Sequence, residues 1–189
     1  DVLHTRILPV GAGHITNDIA IGLRTSVDIA EKIKIEYGSA LADEVPSREE
    51  IDLATLDPNE HVRVSRAEVA EIIHARCEEI FDMITAELKA VDRFAKLPGG
   101  IIFTGGGAKL NHLVDMAKDH FRTSAAIGAP IGIQSPIDKI QDPVFATAIG
   151  LVMWAYGLQS RTHRGSAGNF SSVAGVTGKM GKWFRSLMP

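Results

Sequence analysis

The chain has 189 residues, 45% hydrophobic and 23% charged, with a formal net charge of −3. That length supports one sizeable core or two small ones, and the mild acidity argues against nucleic acid, which would need a basic surface beyond the short C-terminal tip. The single cysteine, Cys77, excludes an intramolecular disulfide and fits a reducing compartment, while no apolar run reaches the length of a membrane span and no signal peptide opens the chain.

The chain starts at Asp1 in the middle of a strand-like pattern, as the C-terminal part of a longer protein would. Val2 to Val10 is expected to be a strand, and Gly11-Ala12-Gly13 a turn into a helix from about Ile15 to Leu23. Thr25 or Ser26 caps a second helix with Val27, Ile29, Ala30, Ile33 and Tyr37 inward and Gly38 as its stop. Between Ser39 and Val64 the alternation suggests short strands and hairpins over Leu41–Val45, Ile51–Leu56 and His61–Val64.

Ser65-Arg66-Ala67-Glu68 is a capping box, with hydroxyl and carboxylate placed to satisfy free backbone donors. A long helix follows, its stripe running through Val69, Ile72, Ile73, Cys77, Ile80, Ile84, Leu88 and Val91 and its end lying before Pro98-Gly99. Cys77 sits on that stripe and reads as a buried thiol. Glu68, Glu71, Glu78, Glu79 and Asp82 lie mostly on the far side, as a solvated face would.

Ile101 to Thr104 is expected as a short buried strand, Gly105-Gly106-Gly107 as a turn, and Lys109 to Phe121 as a helix. A further strand near Ser124–Ile127 leads to the loop Gly128–Pro136. Asp142-Pro143 opens a last body helix, Val144 to Gly157, apolar enough to be buried on most sides. Strands alternating with helices define an α/β class with a hairpin-rich insertion.

Two features carry chemistry. Glycines after an apolar strand let the backbone approach a ligand closely, and a helix start presents free N–H groups; the turn is neither a Walker nor a dinucleotide motif. A tight turn with no ligand remains the alternative. Glu31 and Lys34 stand one turn apart on the second helix, where a surface salt pair is the plain reading. No metal-spaced His or Cys cluster and no nucleophile elbow is present, so no catalytic residue is assigned.

The tip, Lys179 to Pro189, is amphipathic. Met180, Trp183, Phe184, Leu187 and Met188 share one helical face at about 100° per residue, with Lys182 and Arg185 opposite and Lys179 at the border. Such a helix lies in a lipid headgroup layer, and the Gly/Ser/Thr-rich stretch Ser160–Gly178 would tether it. Docking of the tip on its own domain is the alternative.

Several motifs together resemble the bacterial cell-division protein FtsA, an actin-like anchor of the tubulin-like FtsZ ring. They are Leu8–Ala20, Ala30-Glu31-Lys32-Ile33-Lys34, Gly100–Ala108, Ile127-Gly128-Ala129-Pro130 and Asp142–Leu151, in matching order over essentially the whole chain. The resemblance implies half of an actin-like ATPase (RNase H-like) fold with an α/β insertion. Residues 1–38 and 143–158 would form subdomain 2A, 39–142 subdomain 2B, 159–178 a flexible linker and 179–189 the membrane-targeting helix. ATP, with Mg²⁺ in the full-length protein, would meet Glu31, Lys34, Gly105, Gly106, Gly107 and Lys109. The loops that hold phosphates and Mg²⁺ in that family would precede Asp1, so weak binding and no hydrolysis are expected of this chain. An FtsZ C-terminal peptide would meet Arg76 and Glu79 on 2B, where the plain reading of Arg76 is a helix-surface residue. Lipid of the inner membrane would meet Met180, Lys182, Trp183, Phe184, Arg185, Leu187 and Met188, many copies adding weak attachments in an actin-like filament. The implied location is the cytoplasmic side of the plasma membrane at the division site. An enzyme of the same superfamily, a sugar-kinase or chaperone-type ATPase, is the alternative function, and an assembly ATPase of the pilus or capsule type a further one.

Overall fold

The computed structural model describes residues 2–132 and 138–165. The chain divides after Ala146 into two units, and the core and cleft described below belong to the first. Three helices build most of that core. Helix α1 (Ala12–Leu23) buries Ile15, Thr16, Ile19 and Ala20, a stripe at helical spacing, and stops where Arg24 turns left-handed at φ 54°. Helix α2 (Val27–Tyr37) starts at Ser26, whose hydroxyl accepts the Ile29 N–H at 3.3 Å, and buries Ile29, Ala30 and Ile33. Val27, expected inward, is instead 54% exposed, because it occupies the first position of the helix, away from that stripe.

The next strands are shorter than expected. Strand β1 (Glu50–Asp52) pairs antiparallel with β2 (Arg63–Ser65), Ile51 opposite Val64. Leu41–Val45 forms no strand; Ala42–Glu44 is a 3₁₀ turn. Leu53–Thr55 is another, because the Asp52 carboxylate accepts the Ala54 N–H at 3.1 Å and draws the chain off the ladder.

Helix α3 (Arg66–Ala90) begins at Ser65, whose hydroxyl accepts the Glu68 N–H at 3.4 Å. Its buried line runs Val69, Ile73, Cys77, Phe81 and Thr85, each four residues after the last, with Ile72, Ile80, Ile84 and Leu88 packed along the flanks. Phe81 and Thr85 extend the line that the sequence pattern had shifted to Ile80 and Ile84. Phe81 sits 5.0 Å from Phe121 and 5.8 Å from Phe103, ring centre to ring centre. Burial pushes the Cys77 thiol up to about 12.

Strand β3 (Ile101–Phe103), helix α4 (Leu113–Phe121) and strand β4 (Ala125–Ile127) form a β-α-β crossover, with β3 and β4 parallel and Ile102 opposite Ala126. Ile101 and Phe103 pack toward the core, but Ile102 is 60% exposed, so β3 is covered on one face and not buried as expected. The helix expected from Lys109 also begins later, at Leu113, because His112 is left-handed at φ 60° and the preceding residues Gly106–Lys109 form a 3₁₀ turn.

Two more expectations fail outright. Val2–Val10 is not a strand: it runs without a ladder partner, with Val2, Leu3 and Ile7 exposed and Arg6 reaching Glu87 at 3.2 Å. A strand needs a neighbour to take its hydrogen bonds, and none of the described strands lies beside it. Helix α5 (Ala146–Gly165) is not buried on most sides either, since Leu151, Val152 and Trp154 are exposed. No helix among the described residues is long and apolar enough to cross a membrane.

Candidate functional site: a cleft between two helices and a glycine turn

A cleft of about 540 Å³ opens where α1, α2 and the glycine turn converge. Helix α1 contributes Ala12, Gly13 and Ile15; helix α2 contributes Glu31, Lys34 and Ile35. The facing wall is Gly106, Gly107, Lys109, Leu110, Asn111 and Val144. Five of the six residues assigned from sequence to a nucleotide therefore line one cavity.

Lys34 fixes one side. Its Nζ lies 2.6 Å from Glu31 Oε2, 2.8 Å from Thr16 Oγ1 and 3.3 Å from the Ala12 carbonyl, and the side chain is 11% exposed. The ammonium's donors are thereby taken up, and its charge is compensated where burial would otherwise be costly. The Thr16 hydroxyl accepts from Lys34 and donates to Glu31 Oε2. Burial raises the Glu31 carboxyl, but hydrogen bonds from Lys34 and Thr16 and the charge of Lys34 outweigh it, and the pKa falls below its ordinary 4.5. The pair is more than a surface salt bridge, because Thr16 and Ala12 tie it to a second helix.

The glycines make the other side. Gly105 has φ +89°, a conformation that favours glycine, and its N–H donates to the Pro143 carbonyl at 3.1 Å. A Cβ on Gly107 would stand 2.8 Å from the Ala12 Cβ, so the close approach of turn to α1 requires a residue without a side chain there. Gly105 thus shapes the turn from outside the cavity wall, and Gly106 and Gly107 form the wall itself.

Contacts that sequence reasoning missed brace the cleft. The Lys109 Nζ donates to Asp142 Oδ2 at 2.6 Å, while Asp142 Oδ1 accepts the Val144 N–H at 3.0 Å. The Lys109 bond first, and then the Val144 N–H, hold the Asp142 carboxyl below its usual range. Asn111 donates from Nδ2 to the Gly38 carbonyl at 3.1 Å, and Ser39 Oγ lies 3.0 Å from His112 Nδ1. A helix-opening motif signalled Asp142, but no local pattern signals a partner 33 residues away.

Arg76 and Glu79 lie elsewhere, on α3. Arg76 grips Asp18 of α1 with two bonds, Nε to Oδ2 at 2.5 Å and Nη2 to Oδ1 at 2.9 Å, and reaches Glu79 Oε2 from Nη1 at 2.6 Å. The Asp18 bond holds the guanidinium above its ordinary pKa. Arg76 is half-buried and Glu79 exposed, as a residue bordering the stripe and one pointing outward should be. Met180, Lys182, Trp183, Phe184, Arg185, Leu187 and Met188 lie outside the described residues. Among the described residues no group of three His, Cys, Asp or Glu side chains could hold a metal ion.

The cleft offers apolar walls from Ile15, Ile35, Leu110 and Val144, a carboxylate that accepts hydrogen bonds, and a second cation at Lys109. That suits a flat apolar ring bearing hydroxyl groups and an anion. The architecture is that of the actin-like α/β fold. Two solved structures of MreB5 from Spiroplasma citri match it, one bound to AMPPNP (TM-score 0.64, 17% identity, 87% of this chain and 49% of that one) and one bound to ADP (TM-score 0.61, 18% identity, 86% and 49%).

Sequence comparison narrows the class. The family model for cell division protein FtsA matches residues 1–150. FtsA of Pseudomonas aeruginosa is 34% identical over 174 residues, 92% of this chain and 40% of that protein. FtsA of Bacillus subtilis is 34% identical over 151 residues (80% and 33%), and that of Escherichia coli K12 29% over 191 residues (97% and 44%). The chain belongs to the FtsA family, and it spans 33% to 44% of the length of these relatives.

The Glu31 network sets a pH dependence. A carboxyl whose folded pKa lies below 4.5 contributes stability above that pH and loses it as pH falls through the folded value. Glu31 is 44% exposed, so screening limits the contribution to about 1 kcal/mol. Glu31→Gln should be less stable than the parent at about pH 6, with the gap closing toward about pH 3. Urea unfolding midpoints across that range measure it; a gap that widens on acidification contradicts the network.

Proposed function

We propose that this chain is part of a cell-division adaptor that tethers the FtsZ ring to the cytoplasmic membrane, working as a binding protein with a nucleotide-responsive core. The convergence of the Glu31–Lys34 pair and the glycine turn on one cleft, in a chain of the FtsA family, carries the reading. Subdomain 2A takes in residues 1–38 and 143–158, and subdomain 2B residues 39–142.

The cleft residues fit the adenosine end of ATP. Glu31 accepts from ribose hydroxyls, Lys34 holds Glu31 in place, and the absence of a side chain at Gly106 leaves room for the adenine against a turn that Gly107 lets close on Ala12. Lys109 stands toward the phosphates, whose bound Mg²⁺ in the full-length protein offsets their charge. We expect the 189-residue chain alone to bind ATP weakly and not to hydrolyse it.

Arg76 accounts for the peptide site. Asp18 takes the Nε–Nη2 edge of its guanidinium and Glu79 takes Nη1, and both Nη atoms keep an N–H beyond the described bonds. A carboxylate of the FtsZ C-terminal peptide can take those donors while its apolar residues lie along the flank of α3. At the other end, Met180, Trp183, Phe184, Leu187 and Met188 enter the lipid and Lys182 and Arg185 meet anionic headgroups. Self-association into actin-like filaments multiplies these weak attachments at the division site.

Three variants of the full-length protein separate the parts. Lys34→Met should weaken ATP binding about tenfold in a fluorescent-nucleotide titration, and unchanged affinity removes the cleft assignment. Arg76→Glu should abolish binding of an FtsZ C-terminal peptide by fluorescence anisotropy; retained binding moves the peptide site off α3. Trp183→Glu with Phe184→Glu should end co-sedimentation with anionic liposomes while circular dichroism stays the same, and undiminished sedimentation defeats the anchor.

A further inference from the structure

The cationic corner of the cleft is closed by a carboxylate of its own chain. Of the two ammonium groups that line the cavity, Lys34 is committed to Glu31, Thr16 and the Ala12 carbonyl. Lys109 is the one an incoming anion can use: its side chain is 52% exposed and its described bond is to Asp142. Asp142 also holds the wall beside it. Its second oxygen caps the turn at Val144, and the adjoining Pro143 carbonyl receives the Gly105 N–H. An anion reaching Lys109 therefore meets a fixed negative charge that shares the same ammonium.

We propose that Asp142 is a specificity residue of the cleft, a built-in counter-anion that competes with ligand phosphates for Lys109 and so limits how strongly the site rewards negative charge. The proposal rests on the reading of the cleft as a nucleotide site. Its physical content is differential: the Asp142 charge repels a polyphosphate and leaves an uncharged nucleoside almost untouched. By this device the site is tuned to let its nucleotide go, since Lys109 always has a partner to return to.

The test uses full-length protein with adenosine and ATP as probes, titrated by calorimetry. Asp142→Asn and Asp142→Ser both keep an oxygen able to cap Val144 and both remove the charge; matching thermal melts establish that the fold is retained. Each should raise ATP affinity about fivefold and change adenosine affinity less than about twofold. In a Lys109→Met background the same substitutions should raise the ratio of ATP to adenosine affinity less than they do beside Lys109, because competition for the shared ammonium is gone and only repulsion through space remains. A ratio that stays level or falls in both single variants overturns the proposal and leaves Asp142 as a turn cap. If Lys34→Met alters neither ligand's affinity, the nucleotide reading itself fails and the proposal goes with it.

Discussion

One ammonium group organises the cleft of this molecule. Lys34 belongs to α2, yet two of its three partners, Thr16 and the Ala12 carbonyl, belong to α1. Were it left unpaired, a cation this buried would be costly; fully bonded, it locks the two helices at the floor of the cleft. Helix α1 is also packed against α3, so the same element that receives Lys34 lies on the core's longest helix. The glycine turn can then close on α1 at Ala12 because Gly107 has no side chain to hold it off. Cleft shape follows from that pairing and that close approach together.

Helix α1 faces two ways. At its N-terminal end Ala12 and Thr16 serve the cleft, and about half a turn beyond Thr16 the carboxylate of Asp18 grips Arg76 on α3. The two sites proposed for different ligands are thus hydrogen-bonded to one helix. Coupling between them needs no long chain of intermediaries: a tilt of α1 would alter both sets of bonds at once.

Local patterns were legible in the sequence, and long-range pairings were not. Ser26 and Ser65 cap their helices because a hydroxyl one residue before a helical stripe has an N–H within reach. Glu31, Lys34 and the glycines could be singled out by type and spacing, and their meeting in one cavity came through resemblance to a family. Asp142 with Lys109, Asp18 with Arg76 and Asn111 with Gly38 join residues 33, 58 and 73 positions apart, and no period encodes such distances. The misreadings share another cause. Val2–Val10, Ile102 and the apolar residues of α5 have the composition of buried elements, but burial depends on what stands opposite, which composition does not record.

Cys77 has a practical bearing on all of this. It is the chain's one sulfhydryl, 1% exposed on the inner line of α3 and protonated at any ordinary pH. A surface cysteine introduced beside the cleft or along α3 would be the single reactive handle on this stretch of polypeptide. Dyes, spin labels or crosslinkers could then be attached site by site without first removing the native residue, and without opening a cavity in the core to do so.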